Sequence, residues 1–213
     1  MHSEVLLVAL RDRLPRIQCS GAIQARCTAP DTVHLVSAAA TPLGGDTISI
    51  RVVVEAGAVL KLRSAAATVV LPGAKTPTSH ADWAIDVSGT LDVDLEPTVV
   101  AADARHVSTV ALVLRDDGRV RFRERVQIGR CNERDGFWSG SLRANRHDRP
   151  LLRHRVELGA GSVADDSIAA PRAIISELCY PTTQFTDMPS ASTVLALAAG
   201  GTLSTWQADR LVG

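Results

Sequence analysis

Between Asp46 and Ser64 two runs alternate apolar and polar residues, with one glycine turn between them. In the first, Ile48, Ile50, Val52 and Val54 share a face, and Thr47, Ser49 and Arg51 share the other. In the second, Leu60 and Leu62 stand opposite Lys61 and Arg63. A period of two marks a strand with one buried face, because successive side chains point to opposite sides of a sheet. The turn, Glu55-Ala56-Gly57-Ala58, places glycine where a tight reversal needs positive φ. The pattern recurs. Thr90–Glu96 sets Leu91, Val93 and Leu95 against Asp92, Asp94 and Glu96. Val120–Ile128 sets Val120, Phe122, Val126 and Ile128 against Arg121, Arg123, Arg125 and Gln127, and Leu151–Leu158 closes the series. Further turns fall at Leu71-Pro72-Gly73, Val87-Ser88-Gly89, Asp116-Asp117-Gly118 and Arg134-Asp135-Gly136. Many short strands at near-regular spacing predict a mainly β body, as a sandwich, a barrel or a coiled β-solenoid. No exact repeat selects among these.

The character changes after Leu158. Gly159–Pro171 is small and polar and reads as a linker or exposed loop. Pro171 stands where proline suits a helix start, and Ile174, Ile175 and Leu178 share one helical face within Arg172–Tyr180. A second helix is expected over Ser192–Ala199, stopped by Gly200-Gly201. The expected organisation is a single domain over 1–213: a β-rich body over 1–158, then a linker and a short C-terminal helical segment docked on it over 159–213.

The chain's 213 residues suffice for a sizeable core. Phe, Trp and Tyr contribute only three, three and one residues, so the core is aliphatic. The formal charge is zero, which gives nucleic acid and anionic membranes no general attraction. Lys61 and Lys75 are the only lysines; arginine carries the rest, and its planar fork suits contacts with carboxylates. GC-rich codon usage would give the same bias. Twelve arginines between Arg115 and Arg155 are interleaved with Asp116, Asp117, Glu124, Glu133, Asp135, Asp148 and Glu157. That mixture fits a salt-bridged face or a protein interface better than a nucleic-acid groove, which keeps acids away and adds stacking aromatics. The apolar run Val5–Leu10 lacks a basic start and a cleavage site and reads as a strand. No run approaches the ~20 apolar residues of a membrane span, so a cytoplasmic location is expected.

Catalytic and metal-binding patterns are weak. Cys19, Cys27, Cys131 and Cys179 form no Cys-x-x-Cys pair and read as reduced thiols. Gly44-Gly45-Asp46 is not followed by Lys-Ser/Thr, as a phosphate loop requires, and a strand follows instead of a helix. Asp92, Asp94 and Glu96 lie about 6.6 Å apart along one strand face. That spacing suits a pair of carboxylates acting on a glycoside, but a solvated strand face has the same pattern. The six histidines show no ligand spacing, and His154, in phase with Leu152, Val156 and Leu158, reads as a hydrogen-bonded core residue. Glu124 is the odd residue: by alternation it shares the apolar face of Phe122 and Val126. A carboxylate there needs a partner or a polar cavity to face, unless a bulge turns it outward.

The stretch Leu43-Gly44-Gly45-Asp46, the Gly57-Ala58 turn and the small segment Ser64-Ala65-Ala66-Ala67-Thr68 together resemble the UreD (UreH) family of urease accessory proteins. The later strand ending in Glu96-Pro97-Thr98, and the pair Arg119–Ile128 and Arg149–Leu158, are similar to further landmarks of that family. The resemblance covers roughly Val33 to Leu158. It implies a distorted right-handed β-solenoid with a few helices, and a non-enzymatic scaffold in urease maturation. It implies UreF and apo-urease as partners, with UreF recruiting the GTPase UreG, and nickel in transit with no permanently bound cofactor. Gly44, Gly45, Asp46, Gly57, Ala58, Thr68, Glu96 and Pro97 carry the resemblance and read as structural, while Glu124, by its own phase, is the candidate to line an internal polar passage or to pair with a buried Arg. The C-terminal segment, with Leu195 and Leu197, is the expected contact for UreF. The competing expectation is a carbohydrate-active β-solenoid enzyme using Asp92, Asp94 and Glu96, which the scarcity of aromatics disfavours.

Overall fold

A computed structural model describes residues 1–163, 165, 170–181 and 188–211. The chain runs through β1 (His2–Ala9), β2 (Arg16–Ser20), β3 (Ile23–Ala29), β4 (Thr32–Ser37), β5 (Thr47–Val54), β6 (Val59–Ser64), β7 (Thr68–Val70), β8 (Thr78–Val87) and β9 (Thr90–Asp94). It continues through β10 (Thr98–Val100), β11 (Arg105–Leu114), β12 (Arg119–Ile128), β13 (Phe137–Arg146), β14 (Arg149–Gly159), β15 (Ala173–Tyr180), β16 (Thr193–Ala196) and β17 (Thr202–Ala208). Two sheets face each other. The first has the order β14-β13-β11-β8-β5-β1-β2, and the second the order β16-β17-β15-β12-β9-β6-β4-β3.

From β5 onward the chain crosses from one sheet to the other and back, so β5, β8, β11 and β13 stack in parallel in the first sheet. β6, β9 and β12 do the same in the second. His80 lies beside Thr47, Arg105 beside Thr78 and Phe137 beside Arg105, so each coil takes about thirty residues. This is β-solenoid-like stacking. The alternation anticipated in the sequence decides which residues meet: Ile48, Ile50, Val52 and Val54 pack against Leu60, Leu62, Leu91 and Val93 in one core. Each such side chain contributes roughly 1.5–3 kcal/mol on burial.

A smaller cluster fills one corner, where β7 pairs with β10 and β10 with β12. It contains Val70, Val100, Val126, Ile128, Leu158 and the fully buried indole of Trp138. Gly140 follows two residues later on the same face, and a Cβ there would fall 2.1 Å from the Trp138 ring. Glycine in the middle of this strand is the space the indole occupies.

The glycine turn ahead of β5 ties successive coils together. The Asp46 N–H donates to the Leu43 carbonyl (2.8 Å), and Gly45 sits at φ +92°. The Asp46 carboxylate accepts from the Thr41 hydroxyl and the Leu43 N–H, each at 2.9 Å. Gly44 packs so tightly that a Cβ would lie 1.8 Å from the Thr76 carbonyl oxygen and 2.5 Å from the Gly73 nitrogen. Gly57 adopts φ +74° in the next turn, and Ala58 behind it is buried. Thr68 and Pro97 meet in the corner ladder, where the Thr68 N–H donates to the Pro97 carbonyl at 2.9 Å.

The expected helical segment is absent among the described residues. Arg172–Tyr180 contains β15, which runs antiparallel between β12 and β17 with every residue buried. Ile174, Leu178 and Tyr180 pack into the two main clusters, while Ala173 and Ile175 pack with Trp206 on the opposite side. A strand covered on both faces loses its period of two, and Ile174, Ile175 and Leu178 then imitate a helical face. Ser192–Ala199 contains β16, and Gly200 and Gly201, at φ +94° and +83°, turn the chain into β17. Residues 164 and 166–169 of the anticipated linker lie outside the described residues. Leu195 is exposed on β16, whereas Leu197 is half-buried against the main core.

Candidate functional site

The space between the sheets is incompletely filled. A cavity of about 240 Å³ is walled by Ile48, Ile50 and Ala81 from the first sheet and by Val93, Leu95 and Phe122 from the second. Trp83 crosses Phe122 edge to face, with ring centres 6.4 Å apart and planes at 86°. At the rim stand exposed residues of the family-like segments, Ala65, Ala66, Ala67 and Glu96, with Thr68 beside them. Gly44, Gly45, Asp46, Gly57, Ala58 and Pro97 do not line it. They hold turns and the corner instead.

Three polar side chains face inward. On β11 the phase that buries Val110, Leu112 and Leu114 also carries His106 and Ser108. On β12 the phase of Phe122 and Val126 carries Glu124, with no bulge to turn it outward. The Ser108 hydroxyl donates to the Glu124 carboxylate at 3.3 Å. Enclosure by the cavity walls pushes the Glu124 carboxyl up to about 7, against the smaller opposing effect of the Ser108 hydrogen bond. His106 is driven the other way, down to about 4, by burial and by the nearby His80. Its Nδ1 shares a 2.9 Å hydrogen bond with the Ser79 hydroxyl. At neutral pH the site therefore holds a neutral imidazole and a carboxyl close to its titration point.

Glu124 also borders a second space of about 10 Å³, shared with Ser176 and His154. That volume is on the order of one water molecule. His154 departs from the expectation of a hydrogen-bonded core histidine: its Nε2 is buried without a hydrogen-bond partner among the described residues. The residue directly across from it is Leu142, whose side chain has no polar atom. Burial lowers its pKa and keeps the ring neutral.

The acidic stripe has a different fate. Asp92 accepts from Arg63 at 2.5 Å and Arg121 at 3.3 Å, and Asp94 from Arg125 at 2.9 Å. Both lie on the outer face of the second sheet, while Glu96 stands apart at the cavity rim. The three do not converge on a cleft, and two are held by guanidinium groups. Among the described residues no three His, Cys, Asp or Glu side chains are grouped to hold a metal ion, and no helix is long and apolar enough to cross a membrane. Sequence reasoning singled out Glu124 but missed His106 and Ser108. Their signal was the phase they share with Val110 and Leu112.

Comparison with known proteins gives a consistent assignment. The family model described as UreD urease accessory protein matches residues 11–211. The protein named urease accessory protein UreD 1 of Saccharopolyspora erythraea is 40% identical over 152 residues, covering 70% of this chain and 60% of its own length. Relatives named urease accessory protein UreD from a Parafrankia species and from Frankia alni are 42% and 41% identical, over 55% and 54% of this chain. The matched regions span only 40% and 39% of those two relatives. With nearly the whole chain matched by one family model, the chain belongs to the UreD urease accessory protein family.

Proposed function

We propose that this chain is a non-catalytic scaffold of urease maturation. It binds apo-urease and UreF, through which the GTPase UreG is recruited, and nickel passes through the inter-sheet cavity on its way to the urease active site. The observation that carries this reading is Glu124, a carboxylate in the wall of a cavity whose rim is built from the segments that mark the family. A divalent cation in an apolar-walled space needs a compensating charge, and Glu124 can supply one by releasing its proton near neutrality. One carboxylate with a hydroxyl beside it gives a transient hold, because a resident site for such an ion uses more ligands. The exposed edge strand β16, with Val194 and Leu195 outward, offers UreF an apolar contact.

Co-expression of urease with its accessory proteins tests the reading. Cells containing this chain are expected to yield nickel-loaded, active urease, and cells lacking it inactive apo-urease. Glu124→Gln is expected to lower the nickel content of urease while the accessory complex still assembles. Equal urease activity with and without the chain would overturn the proposal.

A further inference from the structure

The outward sides of the two sheets pair their charges differently, and on the first sheet the acids Glu4 and Asp82 lie in the trough at the β1–β8 end, away from the arginines of β13 and β14. On the second sheet, cross-strand neighbours match: Asp92 stands directly beside Arg121, and Asp94 beside Arg123. On the first sheet, Arg143 of β13 stands directly opposite Arg153 of β14. Side chains so paired have Cβ atoms about 5 Å apart, and like charges at that position repel. Neutral groups hold the Arg153 guanidinium in place: the Ala144 and Leu152 carbonyls at 2.8 Å and the Asn145 side-chain oxygen at 2.6 Å. Among the described residues no carboxylate pairs with Arg143 or Arg153. Arg153 is thus a preset cation without a counter-charge, with Arg143 beside it, and such a pair suits recognition better than stability.

The same face has the shape of a docking surface. Two shallow troughs, of about 720 and 580 Å³, meet at Thr109. Their floor is made of short side chains: Ser49, Ala84, Ala111 and Ser141. Seven strands at ~4.8 Å spacing and about nine residues at ~3.3 Å rise make a face of roughly 29 by 30 Å. That is close to the ~800 Å² which each partner buries in a stable complex. Extended faces of this kind are where solenoids bind other proteins.

We propose that the outer face of the first sheet docks a protein partner presenting a convex helical layer, with carboxylates aimed at Arg143 and Arg153. The inference rests on the reading above, in which the chain works within a multiprotein assembly. The short side chains of the floor admit the ridges of a helix, and the basic edge at β13–β14 sets its orientation. Long-range attraction to that edge speeds encounter, and the desolvated guanidinium pairs slow dissociation.

The test uses the tagged full chain co-expressed with urease and its accessory proteins. Two variants are compared with the wild type: the double reversal Arg143→Glu with Arg153→Glu, and Ala111→Trp in the trough floor. All three positions are solvent-exposed, so melting temperatures close to wild type are expected. Each variant is expected to lose at least about tenfold in retention of one co-purifying protein. Retention equal to wild type in the folded double variant would overturn the inference. So would loss in the double variant with full retention by Ala111→Trp, because a loose polyanion needs the arginines but not the trough. A wild-type chain that retains no urease or accessory protein would overturn the assembly reading itself, and this inference with it.

Discussion

Two glutamates on neighbouring strands of the second sheet illustrate two uses of a withdrawn carboxylate. Glu177 on β15 points outward and is fully buried, and it accepts from Arg121 at 2.9 Å and Arg123 at 2.7 Å. Glu124 on β12, one register position away, points inward and accepts a single hydroxyl hydrogen bond at 3.3 Å. The first is neutralised by fixed cations and serves cohesion. Among the described residues no ion pair reaches the second, so its protonation state is free to respond to pH or to a visiting cation. Alternation marks Glu124 as out of phase but says nothing of Glu177, whose strand is buried on both faces. The guanidinium groups around Glu177 complete the distinction.

The largest way to break this contrast is to remove the neutralised acid. Glu177→Gln leaves Arg121 and Arg123 without their shared counter-charge, and it is expected to destabilise by about 3–5 kcal/mol in chemical denaturation. A loss below about 1 kcal/mol would mean that Asp92 and Asp94 alone satisfy those arginines.

Glu124→Gln should act with the opposite sign. The Glu124 carboxyl holds its proton up to about pH 7 in the folded chain, against a usual 4.5. The unfolded chain therefore binds fewer protons between those values, and stability falls as pH rises through that window. The deficit, on the order of 3 kcal/mol, is complete above pH 7. Gln carries no such charge, so the variant is expected to be more stable than wild type at pH 8 and to match it near pH 4.5. His106 slopes the other way: with its pKa lowered from 6.5 to about 4, it loses stability as pH falls through that range. The two slopes oppose each other between about 4.5 and 6.5, and above 6.5 only the Glu124 slope remains. Parallel pH–stability curves for wild type and Glu124→Gln would refute the assignment.

The smallest expected effect concerns the outer face of the first sheet. Arg153→Glu replaces a like-charged cross-strand pair with an attractive one opposite Arg143 and should stabilise by a few tenths of a kcal/mol, up to ~1. A thermal melt in low salt reads it, and the gain should shrink in high salt. A destabilised variant would mean that the neutral hydrogen bonds of Arg153 outweigh its repulsion.

Much of the fold was legible before the structure. Ile48, Ile50, Val52 and Val54 are buried in the phase their alternation required, as are Leu60, Leu62, Leu91 and Val93. Strands with one wet face announce themselves. β15 did not, because it is covered on both sides and its run of Ile174, Ile175 and Leu178 satisfies a helical period equally well. The parallel stacking was also hidden. Coils of unequal length, Thr47 to His80 but Thr78 to Arg105, leave no fixed period to detect. At the site, Glu124 was legible as an anomaly of phase. The cavity that explains it was not, since its polar wall comes from β11 and its rim from the segment after β6.

The contact of Gly44 with Gly73 and Thr76 has a mechanical consequence. Coils in a stacked array touch only their neighbours, so such a fold can peel from an end one layer at a time. At this corner the layers meet backbone to backbone, with no side chain that can rotate aside. Fraying must therefore start at the outermost strands, β2 and β3 at one end and β14 and β16 at the other, and reach the mouth of the cavity last. Limited proteolysis would cut at those edges first, while the corner beside the cavity still holds.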